Sequence, residues 1–334
     1  MKRANHLFDC IIEPENLAYA CWKAAKGKRY STAVVAYQEN LDENLRRLYE
    51  QLQAGKVEVG DYRYFKVFEP KERKICASAF REQVLHHALM NVCHPYFEKA
   101  QIFGSYASRK GKGTYAALDK AKVFTRRYTW FLKLDVRKFF ESIDHNVLKN
   151  QLARMFKEGK LLNIFYQIID SYEASPGRGV PIGNLTSQYF ANHYLSGLDH
   201  FVKEKLGIKA YVRYMDDMVL WSSEKAELKQ AYQQIKTFVA ENLHCELKPA
   251  MLNRTRLGLP FLGYRIFPHY VWLLQKSKVR FIQKLKRVEK HYRFGGWTEV
   301  ACHRRVLPLL TFTLYADAKV FRKNVLLQIE GQTS

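Results

Sequence analysis

Several features that define common protein classes are missing from this sequence, and each absence argues against one of those classes. The six cysteines include no C-x-x-C pair and no histidine cluster completes a zinc pattern, so free thiols in a reducing compartment are expected. The beginning of the chain lacks the apolar run of a signal peptide. The longest uncharged stretch, residues 179–198, carries Asn, Thr, Ser, Gln and His, unlike a membrane span. We therefore expect a cytoplasmic protein that does not bind membranes.

Acidic residues are scarce relative to basic ones. The chain has 32 Asp+Glu against 55 Lys+Arg, which gives a formal charge of +23 spread along 334 residues. Distributed positive charge suits a polyanion bound along a groove, whereas no helical segment pairs a clean apolar face with a lysine-rich one for a lipid surface. The composition is that of a soluble globular protein of two or three subdomains. We predict a nucleic-acid partner.

Hydrophobic periodicity and turn signals predict a mixed chain of helices and strands without internal repeats. The predicted helices cover about residues 15–54, a segment from Phe80 ending near Pro95, a helix capped by Asp144, residues 185–205 and 225–242, and a basic tail. The predicted strands form a hairpin over residues 62–77, a strand ending at Asp135, a hairpin over 211–221, and two short strands around 261–264 and 271–274.

Two adjacent acids, Asp216 and Asp217, lie between segments rich in β-branched and aromatic residues, which predicts a hairpin with carboxylates at its tip. Taken alone, such a pair most often solvates a turn. A third acid, Asp135, ends an apolar strand; alone it is equally explained as a solvated or helix-capping residue. Together the three supply the carboxylates that a two-metal phosphoryl-transfer site needs, with the cations about 3.5–4 Å apart.

Three segments resemble motifs of reverse transcriptases. Residues 131–140 (Phe-Leu-Lys-Leu-Asp-Val-Arg-Lys-Phe-Phe) are similar to motif A, residues 214–217 (Tyr-Met-Asp-Asp) to motif C, and residues 261–264 (Phe-Leu-Gly-Tyr) to the primer-grip motif E, in the family order. The resemblance implies an α+β right-hand polymerase fold with fingers, a ferredoxin-like palm with an antiparallel sheet, and a short helical thumb. The expected boundaries are a helical region at 1–60, fingers at 61–130, palm at 131–268, and primer-grip end with thumb at 269–334.

The same resemblance implies a catalytic site and its cofactor. Asp135, Asp216 and Asp217 are the expected catalytic residues, and with the Val136 carbonyl they are the expected ligands of two Mg²⁺ ions, with Mn²⁺ as an alternative. The primer grip falls on Leu262 and Gly263.

Candidate nucleotide-binding residues lie on both sides of these motifs. Phe140 matches the steric gate that excludes a 2′-hydroxyl, although an isolated Phe is usually a core residue. Lys71, Arg73 and Lys74 lie at the turn of the first hairpin and are candidates for the triphosphate, Arg73 first because a guanidinium binds phosphate bidentately. Each is nearly as well explained as a solvated turn residue. Lys248 is a candidate for the motif D lysine that protonates pyrophosphate.

Motif B distinguishes subfamilies. It holds Ile182, Gly183 and Gln188 in the form Ile-Gly-x-x-x-Ser-Gln, which resembles reverse transcriptases of diversity-generating retroelements, as does the segment 101–113. Gly183 is expected to let the backbone approach the nascent base pair, and aliphatic Ile182 removes a polar contact that would check it. The neutral alternative is that Ile182 is a packing substitution in an accurate enzyme.

The diversity-generating resemblance also implies the partners. They are a template RNA, the cDNA or primer, dNTPs and a small basic pentameric accessory protein. It implies error-prone copying at template adenines by a bacterial or phage-encoded enzyme. Two alternatives remain: a retron or group II intron-like reverse transcriptase, and a catalytically inactive palm that serves as an RNA-binding scaffold. Two expected absences count against the retron or group II intron-like alternative: a retron-type Val-Thr-Gly segment near the C-terminus, and a maturase or endonuclease extension after the thumb.

Overall fold

A computed structural model describes residues 3–68 and 72–330. Its first half contains helices α1 (Phe8–Ile12), α2 (Pro14–Ala25), α3 (Thr32–Glu39), α4 (Leu41–Gln53), α5 (Phe80–Lys99), α6 (Thr114–Arg127), α7 (Phe139–Ser142) and α8 (His145–Met155). The later helices are α9 (Gly159–Asp170), α10 (Leu185–Tyr194), α11 (Ser196–His200), α12 (Lys225–Leu243), α13 (Gln275–Arg293), α14 (Glu299–Leu314) and α15 (Lys319–Glu330). Short π and 3₁₀ turns cover Phe201–Lys205 and Thr255–Leu257.

The strands form three antiparallel sheets within the described residues. They are β1 (Tyr62–Val67), β2 (Arg73–Ser78), β3 (Trp130–Asp135), β4 (Ala210–Tyr214), β5 (Asp217–Ser222), β6 (Met251–Arg254), β7 (Leu259–Phe261), β8 (Tyr264–Ile266) and β9 (Val271–Leu273). Strands β1 and β2 make a hairpin, β4-β5-β3-β6 make the central sheet, and β7-β8-β9 make a small third sheet. The mixed architecture with antiparallel sheets confirms the predicted fold class.

The inner strands β3 and β5 of the central sheet carry buried side chains on both faces, since successive residues of a strand point to opposite sides. On β3 and β5, Leu132 and Leu220 join the large core that includes α12, while Phe131 and Trp221 join a second core that includes α6. Asp135 and Asp217 lie at the same end of these two strands, where the hydrophobic pattern stops. The two opposed carboxylates therefore lie at one end of the sheet.

Several predicted elements are correct and three need correction. The helix from Phe80 runs through Pro95 to Lys99, because a proline inside an already packed helix kinks it without ending it. The predicted single helix over 185–205 is divided into α10, α11 and a π turn. The predicted strand at 261–264 is a turn joining β7 to β8, since Phe261 pairs with Tyr264. Asp144 does cap α8, accepting from the amides of Asn146 and Val147.

Two further findings bear on the compositional predictions. The six cysteines, all within the described part of the chain, are free thiols, five of them buried. No helix in residues 3–68 and 72–330 is long and apolar enough to cross a bilayer.

Candidate active site

Two of the three predicted catalytic carboxylates face each other across neighbouring strands. Asp135 is the last residue of β3 and Asp217 the first of β5, and their Cα atoms are direct partners in the antiparallel register. Opposed residues of an antiparallel pair project to the same face of the sheet. The sequence predicted Asp135 at the end of a strand and Asp217 at the tip of a hairpin. Asp217 instead begins β5, and the pairing of β3 with β5 brings the two acids together.

A two-residue turn carries Asp216 and connects β4 to β5. Tyr214 and Asp217 are paired, so Met215 and Asp216 form the tip of the hairpin. Met215 has a φ of 55°, which a non-glycine residue seldom adopts and which costs about 1–3 kcal/mol. The hairpin was predicted from the sequence; the strain at Met215 was not.

Two lysines neutralise the carboxylates. Lys133 lies two residues before Asp135 on the same face of β3, and its Nζ is 3.1 Å from Asp217 Oδ2. Lys248 donates from its ammonium group to Asp135 Oδ1, and its backbone amide donates to the Asp135 carbonyl at 2.8 Å. The motif D candidate therefore does lie beside the predicted metal ligands, whereas Lys133 was missed because a lysine inside a strand reads as a solvent-facing residue.

The pKa of Asp217 differs from that of an ordinary aspartate. Burial raises its pKa to about 7, with the negative charges of Asp135 and Asp216 adding to the shift and Lys133 opposing it. Its side chain is 20% exposed, yet Oδ1 is buried and has no hydrogen-bond partner among the described residues. A buried carboxylate oxygen without a partner is costly unless a cation or donor meets it.

The donor set fits hard divalent cations. Only oxygen donors are expected here, namely three carboxylates and the Val136 carbonyl, and Mg²⁺ prefers one or two carboxylates completed by water and substrate phosphates. No three His, Cys, Asp or Glu side chains in residues 3–68 and 72–330 converge into a ready-made metal cage. The fit rests on the orphaned Oδ1 of Asp217 and on the opposed carboxylates.

The two aromatic rings after motif A have different environments. Phe139 is 3% exposed and packs against Tyr194 at a ring-centroid distance of 6.4 Å. Phe140 is half-buried, with its ring 5.7 Å from that of Phe139, and its carbonyl accepts from the amide of Val180 at the start of motif B. Phe139 is thus the core residue, and Phe140 keeps part of its ring accessible.

Motif B packs on the fingers hairpin. The Ile182 carbonyl accepts from the Cys76 amide on β2 at 2.8 Å. A Cβ added to Gly183, whose φ is 134°, would lie 2.5 Å from the Cys76 carbonyl oxygen. Gly183 is therefore required for this close approach, and the approach of its backbone to a base pair stays a prediction. Ile182 is half-buried at the same junction.

The remaining nucleotide candidates are dispersed. Gln188 is exposed and accepts from the hydroxyl of Ser108 at 2.9 Å, which joins motif B to the 101–113 segment. Lys74 is exposed on β2, with its ammonium 3.9 Å from the centre of the Tyr64 ring. Lys71 lies outside the described residues, and of Arg73 only the backbone position in β2 is described. Their binding of a triphosphate stays a prediction.

The predicted primer grip is a tight turn against the C-terminal helices. Leu262 and Gly263 connect β7 to β8 with φ values of 47° and 92°, as in a type I′ hairpin turn. The Gly263 carbonyl accepts from the Ser277 hydroxyl at 2.7 Å, and a Cβ on Gly263 would meet the Phe312 ring at 3.1 Å. The turn is thereby fixed to α13 and α14.

An antiparallel palm sheet with opposed carboxylates at one end and a carboxylate-bearing hairpin defines the class of right-hand nucleic-acid polymerases. The sequence model described as reverse transcriptase (RNA-dependent DNA polymerase) matches residues 70–266, more than half of this chain. The chain belongs to the reverse transcriptase family.

The curated relatives include several proteins whose names refer to introns. This chain is 22% identical over 250 residues to the putative COX1/OXI3 intron 2 protein of Saccharomyces cerevisiae, covering 56% of this chain and 29% of that protein. It is 24% identical over 139 residues to the group II intron-encoded protein LtrA of Lactococcus lactis, covering 40% and 23%. The match to nuclear intron maturase 1, mitochondrial, of Arabidopsis thaliana is 28% over 97 residues, covering 28% and 14%. This chain thus covers less than a third of these relatives.

Solved structures agree on the fold. The apo telomerase of Candida tropicalis aligns with a TM-score of 0.52 and 13% identity, over 85% of this chain and 63% of that one. The telomerase of Candida albicans bound to a fragment of telomeric RNA aligns with a TM-score of 0.52 and 12% identity, over 87% and 61%. At this identity the likeness concerns the fold alone.

Proposed function

We propose that this protein is an RNA-directed DNA polymerase that uses Asp135, Asp216 and Asp217 as its catalytic carboxylates. The observation that carries the proposal is the direct opposition of Asp135 and Asp217 at the end of a palm sheet in a chain of the reverse transcriptase family. Its partners would be a template RNA, a primer with its growing cDNA, and dNTPs. The domain boundaries at 60, 130 and 268 belong to the same proposal.

The carboxylates and the Val136 carbonyl would hold divalent ions, Mg²⁺ in the first place. When bound, such ions activate the primer 3′ hydroxyl and neutralise the leaving pyrophosphate. Lys133 and Lys248 offset the carboxylate charge and fix the orientation of the two strand ends. Phe140, at the edge of the core, would contact the sugar of the incoming nucleotide, with Leu262 and Gly263 on the primer side.

The test is primer extension by purified protein on a defined RNA template. Asp216→Ala should abolish cDNA synthesis while leaving RNA affinity within about twofold, because the change removes a ligand of the reacting centre and no phosphate contact. Glu224→Ala, a charge removal just beyond the far end of β5, serves as the matched control. If Asp216→Ala protein from a clean preparation still extends the primer, the site is misassigned; if the wild type binds RNA without extension, the scaffold alternative is correct.

We further propose that the protein belongs to the diversity-generating class and copies its template with errors at adenines. The support is the motif B form with Ile182 and Gln188, together with the contact of Gln188 to Ser108 in the second segment of that resemblance. An aliphatic Ile182 at the junction with β2 offers no hydrogen bond to test base-pair geometry. A small basic pentameric accessory protein and a bacterial or phage origin follow from this class.

Sequencing of the cDNA by template base tests the finer proposal. Ile182→Gln should lower the error rate at template adenines several-fold, since a polar contact is restored, while errors at the other bases change little. Gln188→Pro changes a second, exposed residue of the same motif, and its error spectrum is measured in the same way. An unchanged error spectrum would return Ile182 to a packing role.

The second candidate function is that of an intron-associated reverse transcriptase. It is favoured by the relatives from yeast, Lactococcus and Arabidopsis, whose names all refer to introns. Such an enzyme is expected to copy all four template bases with similar accuracy. The same sequencing experiment separates the two candidates, because only the diversity-generating class predicts an excess of errors at adenines.

A further inference from the structure

A completely buried ion pair joins β4, the first strand of the hairpin that carries Asp216, to α11. Arg213 of β4 and Asp199 of α11 are both fully buried. The Arg213 guanidinium donates to both carboxylate oxygens of Asp199 at 2.6–2.9 Å, and the Tyr211 hydroxyl donates to the same carboxylate at 2.8 Å. A fully buried arginine on β4, a strand whose neighbouring residues Tyr211 and Val212 are also buried, requires a reason beyond packing.

Stability is a weak reason for this pair. Removing two charges from water costs several kcal/mol, and well-packed apolar residues of similar volume often stabilise a fold as much or more. A buried pair instead fixes geometry, because the guanidinium has five donors in a rigid plane and must satisfy them all. The partners of the remaining donors therefore indicate what the pair positions.

One of those donors supports the catalytic turn. Arg213 Nη1 donates to the Met215 carbonyl at 3.1 Å and to Asn192 Oδ1 at 3.1 Å. Met215 is the strained residue of the turn, with a φ of 55°. A fixed donor on its carbonyl compensates part of that strain and holds the peptide that leads into Asp216.

The other contacts connect the turn to two distant segments. Arg213 Nη2 donates to Gln101 Oε1 at 3.1 Å, and the Arg213 backbone exchanges hydrogen bonds with Gly104 and Tyr106 of the 101–113 segment. Asn192 lies on α10, the helix of motif B, and its amide donates to the Ala107 carbonyl at 2.8 Å. The guanidinium thus joins motif B, the 101–113 segment and the turn.

We propose that Arg213 is a positioning residue that holds the Met215–Asp216 turn so that Asp216 and Asp217 face Asp135 and bind divalent metal. It touches neither substrate nor reacting atoms. The proposal rests on the proposed function only in naming these carboxylates as metal ligands. Disruption of the network should loosen the metal site while the palm remains folded.

The experiment compares Arg213→Lys with Tyr211→Phe in the full chain. The lysine keeps a charge for Asp199 but cannot reach Asp199, Asn192 and the Met215 carbonyl together. Tyr211→Phe removes one hydrogen bond from the same carboxylate and leaves the contact to the turn, so it is the matched control. Mn²⁺ binding is measured by electron paramagnetic resonance of the free ion, and primer extension gives kcat and KM for the RNA template.

Arg213→Lys should weaken Mn²⁺ binding and lower kcat by about 10- to 100-fold, as loss of an outer-shell partner does, with KM for RNA unchanged. Tyr211→Phe should remain within about threefold of the wild type. If both variants lose Mn²⁺ affinity and kcat equally after correction for the folded fraction, Arg213 has a purely structural role. The proposal is also overturned if Arg213→Lys binds Mn²⁺ as tightly as the wild type does. The Mn²⁺ titration tests the positioning role even if the wild type makes no cDNA. A wild type that makes no cDNA would refute the polymerase function and not the positioning role.

A second variant covers the case in which Arg213→Lys does not fold. Asn192→Ala removes the acceptor that orients Nη1 and leaves the ion pair with Asp199 intact. We expect Mn²⁺ binding to weaken by roughly fivefold to tenfold, in the same direction as for Arg213→Lys. Mn²⁺ binding equal to that of the wild type would contradict the positioning role.

Discussion

At the scale of single residues, the chemistry of the site depends on small differences between neighbours. Phe139 and Phe140 are adjacent, yet one is a core side chain and the other keeps part of its ring accessible. Asp216 and Asp217 are also adjacent, and only Asp217 starts a strand opposite Asp135. Identical residue types in consecutive positions therefore have different surroundings, which composition cannot show.

The difference between the two phenylalanines gives a direct test of sugar selection. Phe140→Ala should admit ribonucleotides and lower the preference for dNTPs by about tenfold or more, because the ring that would collide with a 2′-hydroxyl is removed. Primer extension with each nucleotide class measures the preference. Phe139→Leu is the control, expected to lower stability by about 1–2 kcal/mol without changing the preference. Unaltered discrimination in Phe140→Ala would show that the gate lies elsewhere.

His193 of α10 provides a pH-dependent contribution to stability. Burial lowers its pKa to about 4 from the usual 6.5. A lowered pKa means that its contribution is complete above pH 6.5 and is lost as pH falls toward 4, because the unfolded chain takes up the proton first. At pH 5 we expect this residue alone to reduce the free energy of unfolding by about 2 kcal/mol.

Urea unfolding of the wild type and His193→Leu at pH 7 and pH 5 measures that contribution. The variant should lose less stability on acidification than the wild type. His87, whose pKa burial also lowers to about 4, titrates in both proteins and cancels in the comparison. Equal losses in the two proteins would mean that His193 is protonated in the folded state at pH 5.

At the scale of elements, the backbone of motif B lies so close to the fingers hairpin that residue 183 has no room for a side chain. Gly183→Ala should destabilise the protein by roughly 1–3 kcal/mol and weaken dNTP binding, since its Cβ would overlap the Cys76 carbonyl and its φ is positive. Thermal melting and the KM for dNTP measure the two effects. Gly111→Ala, at a φ of 71° with open space around it, carries a smaller backbone cost and no steric overlap. Equal effects of the two variants would argue against the close contact.

The elements themselves were largely predictable because their signals are local. The apolar run that ends at Asp135 identified β3, and the apolar runs on either side of Asp216 identified the β4–β5 hairpin. The capping residue Asp144 identified the start of α8. Tertiary packing overrode local signals elsewhere, as where α5 continues through Pro95. The partners of Asp217 and Arg213 were not predictable, because Lys133 and Asp199 acquire their roles only through strand register and helix packing.

At the scale of the whole molecule, the charge of +23 predicts strongly salt-dependent RNA binding. For about six contacts between basic residues and phosphates of a single strand, the dissociation constant should rise roughly 300-fold between about 50 and 200 mM salt. Fluorescence anisotropy with a labelled RNA measures it. Binding that is insensitive to salt would exclude a backbone-dominated interface.

A charge-neutralising variant locates the surface responsible. Lys286 and Arg287 are exposed on α13, in the basic segment predicted to form the thumb. Lys286→Gln with Arg287→Gln should lower the salt slope by about 0.7 for each phosphate contact removed. Lys236→Gln, exposed on α12, is the control with an unchanged slope. If only the control changes the slope, RNA follows a different path.

The order of strands in the central sheet has a consequence for folding. The β4–β5 hairpin is local in sequence and can pair within microseconds, but β3 must find β5 across five intervening helices, α7 to α11. Closing so long a loop is entropically costly and slow. We therefore expect Asp135 to meet Asp217 late in folding, after the β4–β5 hairpin has formed. A chain released from the ribosome before β5 contains Asp135 but not Asp217, so it cannot form the opposed carboxylate pair.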